Sequence, residues 1–191
     1  MESLWALLGF QQKSASGKGP GPSHTIAETD SVRKLVEALK DMPPAEARYL
    51  AAFAYLLTRV ADADRGMSEE ERQAIEGILC DKGKLTSDHA ALVTEIARNQ
   101  NDLFGSTENF LVGREFDEIA SREQKIALLH CLYAVSAADK SISSVEDHEI
   151  REISRELGLS HEDYIEVRLA YREYLEVLKN LPGSSPPKSS D

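Results

Sequence analysis

Residues Ala47–Gly83 read ARYLAAFAYLLTRVADADRGMSEEERQAIEGILCDKG, and residues Arg122–Gly158 read REQKIALLHCLYAVSAADKSISSVEDHEIREISRELG. Sliding the chain along itself by 122 − 47 = 75 positions lays one stretch over the other without a gap. Identical residues then meet at Ala52/Ala127, Leu57/Leu132, Val60/Val135, Ala63/Ala138, Asp64/Asp139, Ser68/Ser143, Glu71/Glu146, Ile75/Ile150, Ile78/Ile153 and Gly83/Gly158. Conservative pairs such as Phe53/Leu128, Arg65/Lys140 and Met67/Ile142 lie between them. Each copy has apolar residues at helical spacing, a short polar turn after Ala-Asp, and an acidic stretch with its own apolar stripe. That is the pattern of an αα-hairpin repeated. Two such hairpins pack naturally about a pseudo-two-fold axis. The repeat predicts an all-α fold, a compact helical bundle of about seven helices built from two repeated αα-hairpins.

The remaining chain agrees. Val32, Leu35, Val36 and Leu39 follow the i, i+3, i+4, i+7 spacing of a helix that Met42-Pro43-Pro44 stops. Further helices are predicted over Ala45–Asp64, from Ser68 to Lys82-Gly83, and over Ser87–Leu103, Glu108–Ile119, Glu123–Asp139, Ser144–Leu157 and Glu162–Leu178. No stretch alternates apolar and polar residues between hairpin signals. Composition divides the chain into an N-terminal hydrophobic segment (1–11, with Leu4, Trp5, Leu7, Leu8 and Phe10), a disordered linker (12–27), a helical domain (28–181) and a disordered tail (182–191).

The chain has 191 residues, and its 22 Lys+Arg against 33 Asp+Glu give a net charge of 22 − 33 = −11. A nucleic-acid partner is not expected, because phosphate contacts need clustered basic residues and no such block occurs. Cys80 and Cys131 stand far apart, which offers neither a disulfide framework nor a thiolate metal site. No stretch approaches the roughly 20 apolar residues that span a bilayer, and the N-terminus lacks a signal-peptide pattern. The expectation is a cytoplasmic protein.

The surplus acid is partly patterned. Ser68 with Glu71, and Ser143 with Glu146, match the S-x-x-E capping box, in which serine and glutamate satisfy each other's backbone N–H. Asp64 and Asp139 are placed by periodicity at helix C-termini, where the macrodipole is negative. Each lies seven residues after a core leucine, Leu57 or Leu132, so each is expected to prolong the buried face. Compensation would come from Arg65 and Lys140, from backbone N–H groups, or from a divalent cation held by Asp64, Glu71, Asp139 and Glu146. Four carboxylates suit a hard ion such as Ca²⁺, Mg²⁺ or Mn²⁺. The spacing is not an EF-hand: a loop starting at Asp62 puts Met67 where glycine is required and Gln73 at position 12.

The segments Leu56–Glu71 and Leu132–Glu146 resemble the paired A-x-A-D-G-x-x-x-x-E-E hairpins of the TerB family, which includes tellurite-resistance TerB proteins, TerB-like proteins and the N-terminal domain of the DjlA co-chaperone. The resemblance runs from about Ala45 to Leu178. The short hydrophobic N-terminus and linker are also similar to small stand-alone TerB-like proteins of bacteria. It implies an all-helical domain with internal pseudo-two-fold symmetry and a divalent-metal site at Asp64, Glu71, Asp139 and Glu146, with Ca²⁺, Mg²⁺, Mn²⁺ or Zn²⁺ as the cofactor. The second turn departs from the family pattern at Lys140-Ser141 and Ser144-Val145.

No motif for catalysis accompanies these acids. His24, His89, His130, His148 and His161 show no metal-ligand spacing, and His130 and His148 read as surface or core residues. G-x-S-x-G, P-loop and dinucleotide-binding patterns are missing. The N-terminal cluster either folds back onto the body or docks, as a helix, onto a protein partner; peripheral membrane contact through residues 1–10 is the weaker reading. The expected function is that of a non-enzymatic TerB-like module of a tellurite-type stress response, binding a divalent metal, a protein, or both. The alternative is a metal-free structural adaptor that docks a partner through its acidic face or N-terminal helix.

Overall fold

The structure, a computed structural model, describes residues 29–64 and 66–179. The N-terminal cluster, the linker, the tail and Arg65 lie outside the described residues. Among the described residues the fold is all-α, with helices α1 (Asp30–Ala38), α2 (Pro44–Ala61), α3 (Glu69–Gly83), α4 (Ser87–Ile119), α5 (Arg122–Ser136), α6 (Ser144–Glu156), α7 (His161–Ala170) and the single turn α8 (Glu176–Lys179). No described helix is long and apolar enough to cross a membrane.

Helix α2 is the centre of the bundle. Pro44 starts it, and every residue from Tyr49 to Ala61 is buried. A helix apolar on all sides must be surrounded, and α2 packs against α1, α3, α4, α5 and α6. Tyr49, Phe53 and Phe116 of α4 form an aromatic cluster in this core, with the Tyr49 and Phe116 centroids 5.1 Å apart. Gly83 lets α3 close onto α2, since a Cβ there would stand 3.0 Å from the Leu50 methyls. Its repeat partner Gly158 serves a different need, a left-handed φ of 64° after α6.

One residue in the fully buried stretch of this helix is charged. Arg59 is buried, and its Nε donates to Glu149 at 2.5 Å while Nη1 and Nη2 donate to Glu156 at 2.7 and 3.1 Å. Nη1 also donates to the Asn109 carbonyl at 3.1 Å. The guanidinium thus joins α2 to α4 and α6, and a buried charge so fully paired is tolerated where an unpaired one is not.

Two expectations need correction. The helices predicted over Ser87–Leu103 and Glu108–Ile119 are one continuous helix, α4. Its ends are buried through apolar residues such as Val93, Ala97, Val112 and Phe116. The middle meets α2 through polar bonds instead: Asn101 donates to the Tyr55 carbonyl and Thr58 Oγ1, and Tyr55 donates to Asn109 Oδ1. The apolar stripe therefore lapses around Gly105 while the helix continues, because an interior glycine costs only about 1 kcal/mol. The helix predicted over Glu162–Leu178 ends instead at Ala170. Tyr171–Tyr174 turn, Leu175 is buried, and Ile142 and Leu175 form an isolated parallel bridge.

Two glycine substitutions separate packing from propensity. A Cβ at Gly113 would fall on the Glu156 carboxylate that pairs with Arg59, whereas a Cβ at Gly77 meets nothing within 4 Å. Gly113→Ala is expected to destabilise by about 2–3 kcal/mol through overpacking. Gly77→Ala is expected to stabilise by about 0.5–1 kcal/mol through helix propensity. Urea unfolding of both variants checks the contrast.

Candidate functional site

The site is built from two turns, one between α2 and α3 and one between α5 and α6. In the first, Ser68 caps α3: its Oγ accepts the Glu71 N–H at 3.2 Å, and Glu71 Oε2 accepts the Ser68 N–H at 2.7 Å. In the second, Ser143 caps α6 in the same way, with Glu146 Oε2 accepting the Ser143 N–H at 2.8 Å. Each box commits one carboxylate oxygen to its helix start and leaves the other for a different partner. Both glutamates are nonetheless buried, Glu71 to 7% exposure and Glu146 to 4%.

The two boxes share a pocket of about 240 Å³. Asp64, Gly66, Ser68 and Glu71 line it from the first turn, and Asp139, Ser141, Ser143 and Glu146 from the second. All four acids singled out in the sequence stand around this pocket. A fifth, Glu176, completes the wall. Sequence reading gave Glu176 no role, since it sits outside the repeat in a stretch read as ordinary helix.

Asp64 and Asp139 do not prolong a buried face. Helices α2 and α5 end at Ala61 and Ser136, so both aspartates lie out in the turns and are exposed. Helical periodicity stops governing direction once the helix stops. Asp139 Oδ1 accepts the Ser141 N–H at 2.8 Å, and Lys140 takes a left-handed φ of 70° in that turn. The acids whose placement water does not explain are the two glutamates.

The turns are braced differently at one matched position. In the first, Asp62 Oδ1 accepts the Met67 N–H at 3.0 Å, with Arg98 Nε 3.5 Å from the same oxygen. Ala137 stands at the corresponding place in the second turn. There the Ile142 N–H donates to the Tyr174 carbonyl at 2.8 Å, and the Glu176 N–H donates back to the Ile142 carbonyl at 3.0 Å. The C-terminal segment replaces the missing aspartate. That bridge is also what carries Glu176 to the pocket, where its Oε1 accepts the Ser141 hydroxyl at 3.0 Å.

Charge in the pocket is expensive. Burial pushes the Glu146 carboxyl up to about 7; its own capping bonds and the nearby Ser136 hydroxyl pull the other way, and the Glu71 charge adds to the rise. Burial raises Glu71 too, against its capping bonds, with Asp139 adding to the rise. Two buried carboxyl groups this close resist ionising together, so the pair retains a proton near neutral pH. Glu146 Oε1 is buried and accepts no N–H or hydroxyl bond of full geometry among the described residues; its neighbours there are the Ser136 hydroxyl and the Glu71 carboxyl. The Ser136 hydroxyl beside it is likewise buried and falls short of hydrogen-bond geometry. The next residue along, Asp147, is settled. Burial would raise it, but Arg168 and the hydroxyls of Tyr133 and Tyr164 outweigh that and hold it below its ordinary value.

The donors around the pocket are all oxygen, carboxylate and hydroxyl, which is the chemistry of a hard cation. Among the described residues no three His, Cys, Asp or Glu side chains are drawn together closely enough to hold an ion as placed. Of the described histidines flagged in the sequence, His130 and His148 are exposed and neither lines the pocket.

The family model described as tellurite resistance protein TerB matches residues 49–169. The chain belongs to the TerB family. No curated protein and no solved structure matches it. The TerB match takes in the α2–α3 and α5–α6 turns and the four acids Asp64, Glu71, Asp139 and Glu146, and it stops before the segment that supplies Glu176.

A raised carboxyl pKa makes a stability statement. The unfolded chain gives up that proton near pH ~4.3, the folded protein only near 7, so stability at this site rises as pH falls between those values. Glutamine preserves the cap, as Gln124 does in the box it forms with Ser121. With no divalent cation present, Glu146→Gln is expected to stabilise the protein by about 1–2 kcal/mol at pH 8, allowing for solvent screening. The gain should shrink as pH falls below 7 and vanish only below about pH 4, where the unfolded chain too is protonated at this position. Thermal melts in EDTA across that range make the check.

Proposed function

We propose that this TerB-family chain is a non-enzymatic, cytoplasmic module that binds a hard divalent cation between its two hairpin turns, in a stress response of the tellurite type. The observation that carries the reading is the Glu146 oxygen that is buried with no N–H or hydroxyl donor in full hydrogen-bond geometry, beside a second buried glutamate in a pocket lined by acids. A fold bears that cost when something positive offsets it. Glu71 and Glu146 would hold the ion through the oxygens that their capping boxes leave over, and Asp64 and Asp139 would close on it from the exposed turns. When bound, the cation supplies the positive charge that lets the glutamates ionise together. The all-oxygen set favours Ca²⁺, Mg²⁺ or Mn²⁺ over Zn²⁺, which prefers nitrogen and sulfur.

Tying two turns together is a structural act, and it supports a switchable binding surface for a protein partner better than it supports a reaction. Among the described residues the pocket wall is carboxylate, hydroxyl and glycine, and its Ser141–Glu176 bond joins the second turn to the C-terminal segment. The alternative, a metal-free adaptor whose acidic face docks a basic partner, draws support from the capping bonds that already occupy one oxygen of each glutamate.

Calorimetric titration of Mn²⁺ and Ca²⁺ into metal-stripped protein tests the reading. Saturable binding is expected, weakened at least about tenfold in Asp64→Asn/Asp139→Asn because fewer charged ligands remain. Absence of both heat and any cation-induced thermal shift would leave the adaptor.

A further inference from the structure

We infer that Glu176 is part of the cation site, and that the segment around it is a strap whose docking is coupled to the ion. This rests on the cation reading above and adds a residue outside both the repeat and the TerB match, which ends at residue 169. Glu176 lines the pocket with Asp64, Asp139, Glu71 and Glu146. Its backbone is located by its own N–H bond to the Ile142 carbonyl, 3.0 Å, and by the Ile142 N–H bond to the neighbouring Tyr174 carbonyl, 2.8 Å. Leu175 and Ile142, each 1% exposed, anchor this bridge in the core. The side chain then reaches the second turn, where the Ser141 hydroxyl holds its carboxylate.

Apolar packing and two backbone hydrogen bonds therefore bring a fifth carboxyl group to a pocket that already has four. Like charges gathered this way weaken the docking of the element that carries one of them. An acid cluster alone would not require a ligand. The independent sign is Glu146 on the same wall, 4% exposed, with one oxygen that no N–H or hydroxyl donor among the described residues reaches in full hydrogen-bond geometry. A divalent cation answers that oxygen and the Glu176 charge together. By linkage, an ion that binds better with the strap docked must tighten the strap when it binds. The strap thus transmits occupancy of the pocket from the two hairpins to residues 171–179.

The test is Mn²⁺ titration of full-length wild type, Glu176→Gln and Glu173→Gln, with amide hydrogen exchange at Ile142 and Glu176 read with and without Mn²⁺. Glutamine still accepts from Ser141, so the fold is retained, and equal melting temperatures in EDTA verify this. Glu173 is exposed and does not line the pocket, which makes it the control. Glu176→Gln is expected to bind Mn²⁺ at least about tenfold more weakly, as for loss of a charged ligand, with Glu173→Gln unchanged. In wild type, Mn²⁺ is expected to slow exchange at both amides. Wild type that binds Mn²⁺ while Glu176→Gln binds equally well, or with exchange at the bridge unaltered, overturns the strap and leaves the cation reading standing. Wild type that binds no Mn²⁺ overturns both.

Discussion

Two capping boxes, each a serine and a glutamate at the start of a helix, constrain everything around the pocket. The box is ordinary chemistry at the surface, contributing about 1 kcal/mol to a helix start. Here the glutamate of each box is buried, with one pocket between the boxes, so the glutamates that cap α3 and α6 also face each other. Neither can turn away without giving up its cap. The closeness of two carboxyl groups follows from helix termination, and the raised carboxyl pKa follows from that closeness and from burial.

What keeps the boxes in place is the packing of α2. It is buried on every side over most of its length, and Arg59 ties it to α4 and to Glu149 and Glu156 of α6. That tie is asymmetric, because Ala134 occupies the matching place in the second copy. Asp147, one residue past Glu146, is fixed by Arg168 and two tyrosines of α5 and α7. The second box is thus held from both sides. The pocket is rigid in its glutamates and open in its exposed aspartates, a division that suits a site whose ligands close on an ion.

Much of this was legible in the sequence, and the parts that were not have definable causes. Helical periodicity and the 75-residue offset identified the helix–turn–helix stretches, their serine caps and the four acids that now surround one pocket. Periodicity misplaced Asp64 and Asp139 because it was carried three residues past helices that had ended. It divided α4 because Asn101 and Asn109 meet α2 through hydrogen bonds, and an apolar count does not register those. Glu176 gave no local signal. Only the exchange of Asp62 for Ala137 hinted that the second turn needs an outside acceptor for Ile142, and no sequence rule says which segment supplies it. Arg59, a charge inside the most apolar helix, was a signal that could have been read as a buried ion pair.

The central claim is that the fold tolerates two buried glutamates at the pocket because a cation offsets them. Thermal melting of wild type and Glu71→Gln/Glu146→Gln at pH 8, in EDTA and in saturating Mn²⁺, tests it most directly. In EDTA the double variant should melt higher, its caps intact and its buried charges gone. In Mn²⁺ wild type should gain about 2.7 kcal/mol at a hundredfold excess over Kd, and the variant should gain nothing. A wild type indifferent to Mn²⁺, or a variant that gains as much, would contradict the claim.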